Sequence, residues 1–286
     1  MAQDKIQRFL FKEHNVRGQI VQLDHAWQQM IAERHYPPVL SRLLGELTAV
    51  SVILANGLKH QGKITLQIQG KGPVNLLVVE VTHDLKLRGL AKTIQPIQNQ
   101  QSLDELLGDG QILVTLENSQ TGHHFQSYVP REAETVAACF EGYFQQSEQL
   151  PSRLWLSADE SHLAGFMLQK MPDTDEKDAD AWERIEHLAN TLSNDELLTL
   201  ESATLLHRLF HQETVELFRG RDVLYECPEN KARIDLMLQQ MGEEEVRKIL
   251  QEEGELVIHN EICNYHLRYS EAEVDALFAP KNATLQ

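Results

Sequence analysis

The run from Val39 to Leu58 constrains this chain most. Leu40, Leu43, Leu44, Leu47, Val50 and Leu54 recur along it at helical spacing, directly after the breakers Pro37 and Pro38. Its most apolar part, from Leu47 onward, is interrupted by Thr48, Ser51, Asn56 and Gly57. It falls short of the roughly 20 apolar residues that a bilayer span requires. The spacing predicts a core helix with its leucines on one side, which the rest of the fold must bury.

The segments around it read as strand. Val16 to Leu23 is strand-like and Ala26 to Arg34 helix-like. After the core helix, Ile64 to Gln69 alternates apolar and polar residues, Val74 to Val81 is β-branched, and Lys86 to Ala91 alternates again. Gln111 to Leu116, Gln126 to Val129, Arg153 to Ala158 and Ala164 to Met171 are further strand candidates, and Glu132 to Gln149 interrupts them as a helix. Because the strands cluster instead of alternating strictly with helices, the fold class is α+β. Residues 1–171 read as an N-terminal α/β domain on largely antiparallel sheet.

An acidic stretch over 172–181 opens a helical linker that extends to 222. Trp182, Ile185, Leu188 and Leu192, then Leu197, Leu198, Leu205, Leu206, Leu209 and Phe210, repeat at amphipathic spacing and need a surface to cover them. From Val223 the tail, 223–286, reads strand (Val223 to Glu226), helix (Asn230 to Gln240), helix (Glu243 to Glu252), strand (Glu255 to His259), strand (Tyr265 to Tyr269) and helix (Glu271 to Phe278). Ser270 and Glu273 form a capping box for the last helix. So small a ββα-like module is expected to use a metal or disulfide staple.

Charge narrows the partners. Of the net −17, residues 1–171 carry 15 basic and 17 acidic side chains, whereas 172–286 carry 11 and 26. Such a field repels phosphate backbones and anionic lipid, so neither nucleic acid nor membrane is an expected partner. The start, Met1 to Lys5, shows no basic region leading into an apolar core, and the expected location is cytoplasmic.

Motifs for catalysis are missing. Gly70-Lys71-Gly72-Pro73 lacks the Gly-Lys-Ser/Thr ending of a phosphate loop and lies between two strands, so no nucleotide is expected. There is no Gly-x-Ser-x-Gly elbow, His-Glu-x-x-His helix or dinucleotide fingerprint, and the chain does not read as an enzyme. Cys139 lies on the apolar face of a helix, where a free thiol acts as a small hydrophobe. Cys227 and Cys263 both fall in the tail, with Glu229, His259, Glu261 and His266 nearby. A metal site and a pair of reduced thiols both stay open.

Several runs in one register resemble a known family. They are Tyr36-Pro37-Pro38 through Leu43-Leu44-Gly45-Glu46-Leu47, Leu58-Lys59, and Leu66 through Val74 with its Gly70-Lys71-Gly72-Pro73 turn. Leu87-Arg88-Gly89, Leu107-Gly108-Asp109-Gly110, Tyr143 through Pro151, Met167 through Pro172 and Arg208 through Glu213 continue the series. Together they resemble the heat shock protein 33 family, the redox-regulated 33 kDa chaperonins.

The resemblance implies an ATP-independent holdase in the cytosol, with a substrate-binding domain, a helical linker and a small zinc domain. It also implies binding of unfolding clients under oxidative or heat stress, dimerisation when active, and hand-over to ATP-driven foldases. In the family, four tail cysteines hold zinc when reduced and form two disulfides when oxidised. Here Cys227 and Cys263 match the first and fourth positions, while Glu229 and Asn260 stand at the second and third. Glu229, His259 and His266 are the weak substitute ligands. Trp182, Ile185, Leu188, Leu192, Leu205, Leu209 and Phe210 become the linker and client-binding candidates. Two regulatory readings follow: a single Cys227–Cys263 disulfide, or a switch that heat opens directly. The rival functions are a thiol- or zinc-dependent redox enzyme using Cys227 and Cys263, and a scaffold for a single partner.

Overall fold

In the computed structural model the described residues are 4–172, 178, 180–228 and 231–279. They fall into two compact units, Met1–Glu226 and Cys227–Gln286. The first unit runs β1 (Lys5–Phe11), β2 (Val16–Leu23), α1 (His25–Ile31), α2 (Pro38–Ala55), β3 (Gly62–Gln69), β4 (Val74–Thr82), β5 (Lys86–Thr93), α3 (Leu103–Leu107), β6 (Gln111–Asn118), β7 (His124–Val129), α4 (Val136–Ser147), β8 (Ser152–Ala158) and β9 (Leu163–Lys170). It continues through the linker helices α5 (Ala181–Ala189), α6 (Asn194–Thr199) and α7 (Ser202–Phe210) to β10 (Val215–Leu217), β11 (Arg221–Asp222) and β12 (Leu224–Tyr225).

The core helix α2 starts on Pro38, whose missing N–H falls where a helix has no partner for it. It is buried on nearly all sides, not on one, because it packs against β3, β4 and β5 as well as β2, β8 and β9. Two of its buried hydroxyls, Thr48 and Ser51, donate to the carbonyls of Leu44 and Leu47, so neither enters the core unsatisfied.

One sheet has the order β10-β1-β2-β9-β8, with β11 also on β1; the other has the order β12-β5-β4-β3-β6-β7. All pairings are antiparallel except β12 with β5. The fold is therefore α+β, as the strand clustering predicts. Period-two alternation divides the first sheet between two cores. Ile6, Val21, Leu163 and Met167 join the α2 core, whereas Phe9, Phe11, Ile20, Phe166 and Leu168 join a second one on the opposite face.

Two expectations change. The Val223 to Glu226 strand does form, but as β12, with Leu224 paired to Lys86 of β5 and Val223 fully buried in the main core, so it belongs to the first unit. The strand β1 was not anticipated, since its apolar residues serve both cores and so lose the alternation that marks a one-sided strand.

The second unit contains α8 (Lys231–Met241), α9 (Glu243–Glu253), β13 (Leu256–Asn260), β14 (Tyr265–Tyr269) and α10 (Glu271–Phe278). Its core is small: Leu238, Val246, Leu256, Tyr269 and Val274 are buried, flanked by partly buried residues such as Ile249 and Leu267. The capping box of Ser270 and Glu273 is present.

Candidate functional site

The second face of the β1-β2-β9-β8 sheet is aromatic. Phe9 stacks on Phe166 with centroids 5.4 Å apart, Trp155 meets Phe166 edge-on at 5.6 Å, and Phe11 meets Phe210 of α7 at 5.0 Å. Gly18 makes room for this cluster, because a Cβ there would sit 2.0 Å from Cζ of Phe9.

The linker helices cover that face. Ile185, Leu205, Leu209 and Phe210 are buried in this second core, and Trp182, Leu188 and Leu192 pack against it half-buried. Each helix is short: 9 residues for α5, 6 for α6 and 9 for α7. Helices of this length are marginal alone, so docking supplies most of their stability. The capping box of Ser193 and Glu196 fixes where α6 starts.

A buried polar fastener lies among these apolar contacts. Gln22 of β2 donates from Nε2 to the carbonyls of Leu197 (3.1 Å) and Leu200 (2.7 Å), and its Oε1 accepts from the Ser202 hydroxyl at 3.0 Å. At the rim, Arg184 bridges Asp178 and Glu213, and Arg153 bonds Glu186 at 2.6 Å. Such partly exposed pairs contribute about 0–1 kcal/mol each. Nothing in the local sequence marks Gln22, which occupies a strand position indistinguishable from a solvent-facing one.

Elsewhere in the first unit, the Lys71 and Gly72 amides both donate to the Leu107 carbonyl, so the glycine turn spends its N–H groups on the fold and offers no phosphate cradle. Cys139 is buried on α4, and burial pushes its thiol pKa up, away from nucleophilic character. Glu46 of α2 was not singled out by sequence. Burial raises its carboxyl to about 7, opposed only by Arg42, and it makes no hydrogen bond or ion pair among the described residues. By length and composition α2 alone among the described helices passes for a membrane span, and it is the buried core helix.

In the tail, Cys227 and Cys263 are joined in a disulfide with Cα atoms 5.5 Å apart, closing a separation of 36 residues. Glu229 lies outside the described residues. Asn260 acts as a turn former: its Oδ1 accepts from the Cys263 N–H, and its amide donates to the Tyr265 hydroxyl. His259 and His266 stack on each other across the hairpin at 4.3 Å, and His259 also meets Asn264. Among the described residues no group of three or more His, Cys, Asp or Glu is placed to hold a metal.

The Hsp33 protein family model matches residues 4–270. The chain belongs to the Hsp33 family. It is 40% identical over 277 residues to the 33 kDa chaperonin of Methylobacillus flagellatus, covering 96% of this chain and 94% of that one. The 33 kDa chaperonins of Vibrio cholerae (37%, 99% and 98% covered) and Shewanella loihica (39%, 100% of both) are similarly related. The crystal structure of the 33 kDa chaperonin from Thermotoga maritima superposes with a TM-score of 0.80 at 21% identity, covering 96% of this chain and 97% of that one, and shows the shared fold.

The zinc expected of an Hsp33 tail does not fit these residues. Structural zinc takes a closed set of thiolates and imidazoles. In this Hsp33 tail both sulfurs are bonded to each other, the third position is a neutral amide committed to a turn, and the two imidazoles face one another.

Proposed function

We propose that this chain is an ATP-independent holdase chaperone, not an enzyme, that captures unfolding proteins in the cytoplasm on the aromatic face of β1, β2, β9 and β8. The observation that carries the reading is the cover: three short helices lie over the aromatic cluster of Phe9, Phe166 and Trp155 and are held by marginal contacts and one buried amide. Local opening of such a segment lies well below global unfolding in free energy. Its release exposes a contiguous apolar patch suited to other apolar chains.

The division of labour follows that geometry. Residues 1–171 hold clients, 172–222 form the releasable cover, and the tail tunes the release. Pairing of two copies and hand-over to ATP-driven foldases follow the family expectation.

Heat is the trigger we favour. The tail's Cys227–Cys263 bond acts as a covalent staple whose making or breaking modulates the tail without replacing thermal opening. Light scattering of a heat-denatured client tests this, with the full chain reduced and oxidised. Suppression of aggregation at elevated temperature in both states supports the reading, and strict dependence on oxidant rejects thermal opening. A scaffold for a single native partner would leave unrelated clients to aggregate.

A further inference from the structure

Where α2 ends, the inner face of the first sheet continues uncovered, and it is cationic. The strand register puts Arg8 of β1, Arg17 and Gln19 of β2, and Gln169 of β9 on that face: Arg8 pairs with Gln19, and Arg17 pairs with both Leu10 and Gln169. Lys59 and Leu58, following α2, and Phe218, following β10, complete a cleft of about 540 Å³. Arg221 reaches the same helix end, donating to Asn56 Oδ1 at 2.9 Å.

Among the described residues these cations have no ion-pair partner. Arg8 donates to the Asn56 carbonyl, Arg17 to Gln169 Oε1 at 3.0 Å, and Arg221 to Asn56 and the His83 carbonyl. None of the three makes an ion pair among the described residues, in a chain of net charge −17. Glu148 is the one carboxylate of the lining, and Gln169 Nε2 engages it at 3.0 Å. Burial, then Arg221 and Arg17, lower the pKa of Arg8, as expected where like charges crowd without an anion. Neutralising the C-terminal end of α2 explains Arg8 and Arg221. It does not explain Arg17 or the exposed Lys59.

We propose that this cleft binds a phosphate-type oxyanion. Guanidinium forks match tetrahedral oxyanions, and the Lys59 ammonium adds a mobile point charge. Gln19 accepts from Asn56 Nδ2 through Oε1, which leaves its own amide donors facing the cleft. The apolar wall of Leu58, Met167 and Phe218 suits an anion carried on a larger body. The phosphate comes either from an inorganic phosphate chain or from a nucleoside diphosphate.

Isothermal titration of the full-length protein with pyrophosphate and with ADP, at constant ionic strength, tests this. The expected result is saturable one-site binding that Arg17→Gln weakens about tenfold or more and Lys59→Gln weakens about threefold. Lys12→Gln, whose residue pairs with Glu216 outside the cleft, leaves it unchanged. Tighter binding of ADP assigns the nucleotide as the source, and tighter binding of pyrophosphate assigns the inorganic chain; either ranking upholds the site. Should Arg17→Gln fail to fold, Lys59→Gln carries the test alone. Absence of saturable binding, or equal affinity in wild type and variants, overturns the proposal.

Discussion

Gln22 Nε2 donates to the Leu200 carbonyl at 2.7 Å across the interface between β2 and the linker. This ties the last turn of α6 to the sheet it covers. Gln22 itself is buried, as are its companion bonds to Leu197 and Ser202, so breaking the set leaves polar groups with little water to replace it. The linker is thus held by one buried polar fastener and a few rim ion pairs within a broad apolar contact.

Gln22→Ala orphans the Leu197 and Leu200 carbonyls and the Ser202 hydroxyl, at a cost of about 1–3 kcal/mol. Amides of α6 and α7 are expected to exchange with solvent about tenfold faster or more, and client capture to begin at lower temperature. Unchanged exchange in α6 and α7 would remove Gln22 from the latch.

Ile185, on the inner face of α5, is fully buried. Ile185→Asp places a carboxylate in an apolar site at a cost of several kcal/mol, more than a short helix can absorb, so α5 undocks. The variant is expected to suppress client aggregation without prior heating. Glu183→Lys, on the exposed side of α5, is expected to behave as wild type within about 0.5 kcal/mol.

Cys227→Ser opens the tail disulfide. Loop-closure entropy for a 36-residue separation predicts about 2–4 kcal/mol lost from the second unit. Calorimetry should show the second unit melting earlier while the first is unmoved. Because the ligand set does not fit zinc, a chelator is expected to leave both transitions where they are. A chelator-sensitive tail transition, with stoichiometric zinc by metal analysis, would contradict this reading.

Glu46 gives a pH dependence with a defined sign. Its carboxyl titrates at about 7 when folded, against an ordinary value of 4.5, so between those values the folded state holds the proton that the unfolded chain has lost. Stability therefore falls as pH rises through that window, and the penalty is complete above about 7. The facing charges are Arg42, Asp104 and Glu134. Glu46→Gln is expected to raise stability at pH 8 by of order 1–3 kcal/mol and to have little effect near pH 4.5. Equal effects at both pH values would contradict the assignment.

Much of the fold was legible in the residues. The α2 run, the turn at Gly70 to Pro73 and the alternating β3 and β5 segments carry strong local signals, and each stands close to where its pattern puts it. The linker stripe was visible as amphipathic spacing, but its partner was not, because a sheet face is assembled from β1, β2, β8 and β9 scattered along the chain. Strands of two or three residues such as β10 and β11 exist only through their pairing with β1. Gln22, Glu46 and the arginine cleft acquire meaning from neighbours far away in sequence. The cysteine pair was readable as a candidate, and its geometry came from the hairpin turn that Asn260 shapes.

Hydrogen–deuterium exchange of the full chain, resting and then loaded with a heat-unfolded client, bears most directly on the releasable cover. On loading, α5, α6 and α7 are expected to lose protection while the central strands β2 and β9 keep theirs. If the three helices stay protected while client is bound, clients are held elsewhere and the cover is permanent structure.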